Sequence, residues 1–560
     1  MVNRIILFAV RQRLFVILIV IALIIGGVIA TFRLSIDALP DITSNQVQIF
    51  TVSPALAPQE IERLVTYPIE IAMQNLPRVE EVRSMSKFGL SAVTVVFEDG
   101  VDTYFARQLV AQKLQEAKAE LPPGIPDPEL GPMTTGLGDI YQYEIMGEGY
   151  SPMELRTIQD WIVKRQLAGT PGLAEVNTFG GELKQYQVLI DPQKLLKYDL
   201  SLRDVIEAVA NNNANAGGGY IEHKQEQYLV VGVGIAKTRE DIGNIIVKAE
   251  RGTPIYVRDI AEIGIGAAIR QGAVTRDGKS EVVSGITMML KDANAREVIT
   301  RVKEKIAHIQ ETLPKGVNII PFYDRSELVN RAIKTVYTNL TEGALLVTII
   351  LFLLLMNLRG GFIVASVIPL SMLFAIVMMK LTGVSGNLMS LGAIDFGIIV
   401  DGAIFLVENA IRKLHERQYG IGITLNETVE QTLVEAFLEV GRPVLFAVLI
   451  IILVYLPILT LQGIEGKMFR PMAYTVVLTL IGALLLTLIY VPVVSTLVLK
   501  KKISERESPV LKLLKPLYHK TLLVVLRRKW LVVSGATLMV VGAFLLFARL
   551  GGEFIPTLDE

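Results

Sequence analysis

The sequence predicts an α-helical membrane bundle of seven transmembrane helices joined to a large α+β region of ferredoxin-like split-βαβ subdomains. Three observations predict it. Seven stretches are long and apolar enough to cross a bilayer. A long polar insert between the first two of them alternates strand and helix periodicity. Two ungapped internal similarities repeat the membrane entry and the α+β unit. At 560 residues with 51% apolar side chains, the chain is too long for one domain and too apolar for a wholly soluble protein.

Residues 1–34 hold a basic N-terminus and the first span, about Leu14–Phe32. Arg4, Arg11 and Arg13 precede an apolar run, but no small-x-small cleavage site follows, so the reading is an uncleaved helix rather than a signal peptide. Residues 35–135 form the first α+β unit: VQIFTVSP alternates, APQEIERLVTYPIEIAMQNLP has helical periodicity, and VEEVRSMSKFGLSAVTVVFEDG resumes strand character before the helix VDTYFARQLVAQKLQEAKAEL. The βαββα order is that of a split-βαβ subdomain with helices on one face. Pro58, Glu60, Pro77, Glu81 and Val82 align with Pro152, Glu154, Pro171, Glu175 and Val176, so a second unit starts at residues 136–185. The Gly-rich NNNANAGGGYIEHKQEQYLVVGVG marks a β-rich insertion, residues 186–271, after which residues 272–335 complete the second unit.

Spans two to six fall within residues 336–500: Gly343–Met356 with its flanks, Phe362–Leu381, Leu388–Ile411, Val444–Leu461 and Tyr474–Leu499. Residues 501–529 form a basic linker in which SPVLKLLKPLYHKTLLVVL reads either as an amphipathic segment at the membrane interface or as a solvated loop. The seventh span, Leu531–Phe547, lies in residues 530–548. Residues 11–42 match residues 527–558: Arg11, Arg13, Arg33, Leu34, Asp37 and Pro40 align with Arg527, Lys529, Arg549, Leu550, Glu553 and Pro556. Residues 549–560 therefore read as the start of a second large repeat, and the expectation is a truncated product or half of a split transporter.

Lys and Arg collect in the N-terminus, at Arg359, at Arg412, Lys413, Arg417 and Arg442, and most densely from Lys500 to Lys529. All these segments fall on one side, which the positive-inside rule assigns to the cytoplasm. The insert between spans one and two then lies outside. Formal net charge is zero, which excludes a global attraction to nucleic acid. Cysteine is absent and histidine is limited to His223, His308, His415 and His519, so thiolate and imidazole metal sites are largely excluded.

The chemistry concentrates in LMSLGAIDFGIIVDGAIFLVEN, where Asp395, Asp401 and Glu408 interrupt an apolar span. One ionisable group at bilayer depth costs roughly 2.5–3.5 kcal/mol, so three unpaired charges would cost about 8–10 kcal/mol. Such residues mark proton or ion pathways. On one continuous helix Asp401 and Glu408 would stand about 10 Å apart along the axis and about 20° from alignment, with Asp395 turned about 120° away. Gly392, Gly397, Gly402 and Ala403 would let neighbouring helices pack close. Desolvation favours the neutral form of a carboxyl group, the property a proton-coupled carrier needs. A purely structural reading pairs each acid with a Lys, Arg or hydroxyl of another span; no Lys or Arg lies deep in the other six.

The motif D-F-G-x-x-V-D-G-A-x-x-x-V-E-N at 395–409 resembles the signature of the heavy-metal-efflux branch of the resistance-nodulation-division (RND) transporters, most closely the cobalt–zinc–cadmium type. DALPDI at 37–42, TYPIE at 66–70, FGLSAVTVVFEDG at 88–100, YFARQLV at 104–110, LGPMTTGLGDIY at 130–141 and GKMFRPMA at 466–473 agree with it. The resemblance implies a proton-driven antiporter of the bacterial inner membrane, a homotrimer docked to a periplasmic adaptor protein and an outer-membrane channel. It implies that Asp395, Asp401 and Glu408 form the proton relay, at which the small Gly397 and Gly402 are read as helix-packing residues. It further implies a periplasmic region made of two porter subdomains, at 35–135 and at 136–185 with 272–335, and a docking subdomain at 186–271. Family members carry two such halves in one longer chain. The metal cleft and the basic relay partner are therefore expected in a second half, with a separate second-half polypeptide as one expected partner.

The expected cargo is a divalent ion of the zinc, cobalt, cadmium or nickel class, with no bound cofactor and no nucleic acid partner. Competing readings are a non-transporting remnant or assembly subunit, and a multidrug exporter of the same fold, against which the spacing of the acids argues. No G-x-x-x-x-G-K-[ST] loop is present, so direct use of ATP is not expected; the resemblance implies a secondary active transporter, a cation/proton antiporter, rather than an enzyme. Asp99, Asp102, Glu129 and Asp139 read as surface solubilisers or as a cation entry path. His223, beside Glu222, Lys224 and Glu226, reads as part of a solvated loop, and the scattered Met73, Met85, Met133, Met146, Met153, Met288 and Met289 as packing.

Overall fold

The computed structural model describes residues 2–34, 36–37, 40–250, 252–270, 272–418, 428–499 and 509–549. The chain divides into two compact units, residues 43–329 and residues 1–42 with 330–560.

In the first of these, alternation sets the strands. Along Asn45–Val52 every second side chain, Val47, Ile49 and Thr51 among them, is buried. A four-stranded sheet runs Val79–Lys87, Leu90–Phe97, Asn45–Val52, Glu129–Leu130, every neighbouring pair antiparallel. The first and second strands in sequence thus flank the third, the split-βαβ arrangement. Ile61, Val65, Ile69 and Met73 fall at helical spacing and are fully buried in the core that also holds Val47, Ile49, Val93 and Val95. The helix Thr103–Glu120 adds Ala106, Val110 and Leu114, and its start is capped by Asp102, whose carboxylate accepts from Phe105 N–H at 2.8 Å.

A second sheet has the same topology, in the order Val317–Asp324, Asp139–Gly147, Val283–Met289, Leu173–Phe179. Its core takes Ile140, Tyr143, Leu167 and Val298. The two split-βαβ sheets carry the same helical irregularity. A π-turn occupies Glu62–Thr66 in one and Gln159–Val163 in the other. Each holds a buried polar side chain against its sheet: Thr66 Oγ1 is 2.8 Å from the hydroxyls of both Ser86 and Ser91, and the Tyr143 hydroxyl donates to Gln159 Oε1 at 3.1 Å. Gly285 pairs with Tyr143 across the sheet, and a Cβ there would fall 2.2 Å from the tyrosine ring.

Between the second and third strands of this sheet, the chain builds a separate small core from Leu200, Val205, Ile255 and Ile260. The strands Lys184–Ile190 and Ala261–Ala267 pair antiparallel beside it. The Gly-rich stretch forms a hairpin, Ala216–His223 with Glu226–Gly232, in which every residue is exposed.

Among the described residues, seven helical segments are long and apolar enough to cross a membrane: Arg13–Arg33, Arg325–Leu355, Leu358–Thr382, Met389–Gln418, Val429–Leu459, Gly463–Val498 and Lys529–Phe547. Several outrun the apolar stretches that announce them, because polar turns continue the helix past its membrane-facing part. The sixth is central, with 67% of its apolar window buried; the seventh has none buried. Their shared core gathers Val364, Val367, Val400, Leu406, Phe437 and Val491. The basic linker segment is helical over Pro509–Arg527, not a loop. Lys500, Lys501 and Lys502, and the start of the second repeat from Leu550 on, lie outside the described residues.

Candidate functional site

The fourth span is not one continuous helix. It runs as Leu388–Gly392, breaks at Ala393–Asp395, and restarts as Phe396–Gln418. This corrects the expectation of a single helix over Leu388–Ile411. Asn387 and Ser390 cap the short piece reciprocally: Ser390 N–H donates to Asn387 Oδ1 at 2.7 Å and Asn387 N–H to Ser390 Oγ at 2.9 Å. Asp395 stands immediately before the longer piece and accepts from Gly397 N–H at 2.8 Å. The reason is physical. A carboxylate at a helix start satisfies an orphan N–H and meets the positive end of the helix dipole, so Asp395 is stable as a cap where it would be costly inside.

Asp401 and Glu408 lie in the continuous part, about 10 Å apart along its axis. Gly402, Ala403, Leu406, Val407 and Ala410 are buried against the bundle, whereas Asp401, Phe405, Glu408 and Arg412 are exposed along the other side. Asp395 is exposed as well. The three acids are therefore not enclosed among this chain's own described spans. The small residues are the ones that face the neighbouring helices, and that turns the acids outward. Among the described residues, none of the three has an ion-pair partner.

Gly397 and Gly402, both expected to pack neighbouring helices, have different surroundings. A Cβ on Gly402 would fall 2.9 Å from Val444 of the fifth span and 3.4 Å from Thr487 of the sixth, so its absence admits both helices. At Gly397 the nearest atom is the Asp395 carboxylate oxygen, 3.2 Å away, and no neighbouring helix approaches.

A polar cluster closes the end of this helix. Buried Asn409 donates to the Ala436 carbonyl at 2.8 Å and accepts from Arg412 at 2.7 Å. Glu439 of the fifth span lies 3.4 Å from Lys413 and 3.9 Å from Arg412. Sequence reasoning used Arg412 and Lys413 only as markers of sidedness and passed over Glu439. Its signal was an acid one turn before Pro443, facing a basic pair across a short link.

Three of the acids read as a cation path or as surface solubilisers have separate places in the fold. Asp102 is a helix cap, Glu129 sits in a two-residue edge strand, and Asp139 opens the strand Asp139–Gly147, where burial pushes its carboxyl up from its ordinary value. His223 ends an exposed hairpin strand. Met288 and Met146 accept weak hydrogen bonds from Asn177 at 3.1 Å and Arg276 at 3.2 Å on separate strands. Among the described residues, no three His, Asp or Glu side chains gather as a metal site.

The AcrB/AcrD/AcrF family matches over residues 5–560. The chain belongs to that family. Protein HelA of Legionella pneumophila is 48% identical over 568 residues, covering 100% of this chain and 54% of HelA. The cobalt-zinc-cadmium resistance protein CzcA of Cupriavidus metallidurans is 47% identical over 571 residues, covering 100% of this chain and 53% of CzcA. The cation efflux system protein CusA of Escherichia coli K12 is 38% identical over 568 residues, again covering 100% and 54%. A crystal structure described as a heavy metal efflux pump superposes with a TM-score of 0.86 at 34% identity, covering 99% of this chain and 53% of that one. Within the AcrB/AcrD/AcrF family, the chain thus sits among heavy-metal RND efflux transporters, which are not enzymes. It spans about half the length of the curated relatives it matches.

Proposed function

We propose that this chain supplies one half of the inner-membrane antiporter of a tripartite system that exports divalent heavy-metal cations in exchange for protons. Zinc, cobalt, cadmium or nickel is the cargo class, because relatives at 47% and 40% identity carry the names cobalt-zinc-cadmium and nickel and cobalt resistance proteins. The insert at 43–329 is periplasmic in this reading, and the working assembly is a homotrimer bound to a periplasmic adaptor and an outer-membrane channel.

The observation that carries the reading is the exposed row of Asp401 and Glu408, with Asp395 at the helix break. Lipid cannot cover such a row cheaply. A second half, in the same or another polypeptide, covers it and brings the basic partner that the described spans lack. A carboxylate there has two states. Charged, it pairs with that partner and draws the halves together; protonated, it releases them. Proton uptake from the periplasm and release to the cytoplasm then drive the alternation that moves the metal outward. The break at Ala393–Asp395 places one carboxyl at a hinge point of this helix, and the packing at Gly402 transmits movement to spans five and six.

The test is metal resistance in a sensitive bacterial strain carrying the complete locus. Asp401→Asn should drop resistance to that of the deletion strain while the membrane content of the protein stays unchanged. Retained resistance would sink the relay. A panel of zinc, cobalt, cadmium, nickel and hydrophobic dyes on the deletion strain separates metal export from multidrug export.

A further inference from the structure

The N-terminal helix Val2–Arg11 has two unlike faces. Val2, Ile6, Ala9 and Val10 are buried, and Gly441 of the fifth span admits them: a Cβ there would lie 2.8 Å from Ile6. The opposite face exposes Arg4, Phe8 and Arg11. Beside it, between this helix, the first span and the sixth span, runs a cavity of about 660 Å³. Its walls are apolar, with Phe8 and Phe15 edge to face at 6.5 Å, Ile19 from the first span, and Leu488 and Ile489 from the sixth. Among the described residues that line it, Arg4 is the one charged side chain and none is an acid.

We propose that this groove holds one anionic phospholipid, with its phosphate on Arg4 and an acyl chain laid along Phe8, Phe15 and Leu488. Three features on the chain select that occupant. Arg4 has no ion-pair partner among the described residues, whereas nearby Arg13 is engaged by Glu430 and by the Val10 carbonyl at 3.0 Å. The lining descends from Phe15 to Ile19 of the first span, about 6 Å along the helix axis, so the apolar wall reaches down from the charged rim into hydrocarbon depth. A net negative headgroup satisfies Arg4, while a zwitterionic one brings an ammonium to a site whose described lining holds no acid. Basic pockets between spans recognise anionic headgroups in this manner. The leaflet, cytoplasmic, rests on the orientation proposed above; the lipid site itself does not.

The experiment is native mass spectrometry of the full chain released from nanodiscs of equal phosphatidylglycerol and phosphatidylcholine. The wild type should retain phosphatidylglycerol over phosphatidylcholine by roughly fivefold, the factor that corresponds to about 1 kcal/mol for one basic residue near the surface. Arg4→Gln should bring the ratio to parity, and Arg4→Lys should restore most of it. Arg11→Gln, outside the groove, should leave it unchanged. Ile489→Trp, which fills the groove, should remove the lipid adduct with Arg4 intact. Parity in the wild type, equal losses for Arg4→Gln and Arg11→Gln, or a chain dimer in place of the lipid adduct would each overturn the site. None of these readouts involves export, so their failure leaves the antiport reading untouched.

Discussion

Asp401 and Asp395 show how one residue type does two jobs within seven positions. Asp395 serves local structure, since its carboxylate holds the restart of the helix through Gly397 N–H. Among the described residues Asp401 has no such local bond, and it stands exposed in the second turn of the helix. The same scale governs Asn409, whose amide joins spans four and five at Ala436. Asn409→Leu should lower the unfolding temperature of the detergent-solubilised chain, because the Ala436 carbonyl loses a buried donor and Arg412 an acceptor, worth about 1–3 kcal/mol. Outside the membrane, Asp324 carries a pH prediction. Burial alone would push its carboxyl up, but hydrogen bonds from Lys303 and Ser326 and the Lys303 charge outweigh it and hold the group below its ordinary value. A depressed carboxyl stabilises above its unfolded value near about 4 and ceases to do so as pH falls through the lower folded value. Asp324→Asn should therefore destabilise the chain at neutral pH and converge on the wild type in acid, as read by thermal melts across that window.

At the scale of elements, the two split-βαβ sheets and their π-turns depend on close backbone approaches. Gly285→Ala would drive a methyl into the Tyr143 ring and should cost about 1–3 kcal/mol, measured by chemical denaturation of the full chain. The strands were legible because alternation is strong: Val47 and Ile49 face inward while Gln46 and Gln48 do not. The π-turns were not legible, since a one-residue widening leaves the helical apolar pattern at Ile61, Val65 and Ile69 intact. The break in span four was hidden for a related reason. Gly-Ala-Ile-Asp continues an apolar helix in composition, and the one stop signal, Asp395, was also the residue that suggested chemistry. Which face of that helix stays uncovered could not be read from depth alone. It follows from where Val444 and Thr487 meet Gly402, and those neighbours are dozens of residues away in sequence.

For the whole molecule, charge distribution and apolar length outlined the architecture before any packing was known, and the AcrB/AcrD/AcrF membership agrees with it. Sidedness remains a direct prediction. The chain has no cysteine, so a single introduced one reports cleanly. Lys224→Cys in the exposed hairpin should react with an impermeant maleimide in cells whose outer membrane alone is opened, and Lys520→Cys only after the inner membrane is breached; the reverse pattern would invert the topology. The central claim is that the carboxyl groups of span four move protons when metal moves. The most direct measurement is internal pH in proteoliposomes containing this chain with its complementary half, loaded with a pH dye and challenged with zinc. A metal-dependent proton flux that vanishes in Asp401→Asn, with zinc binding retained, is the predicted result. Equal proton flux in the wild type and in Asp401→Asn would contradict the account.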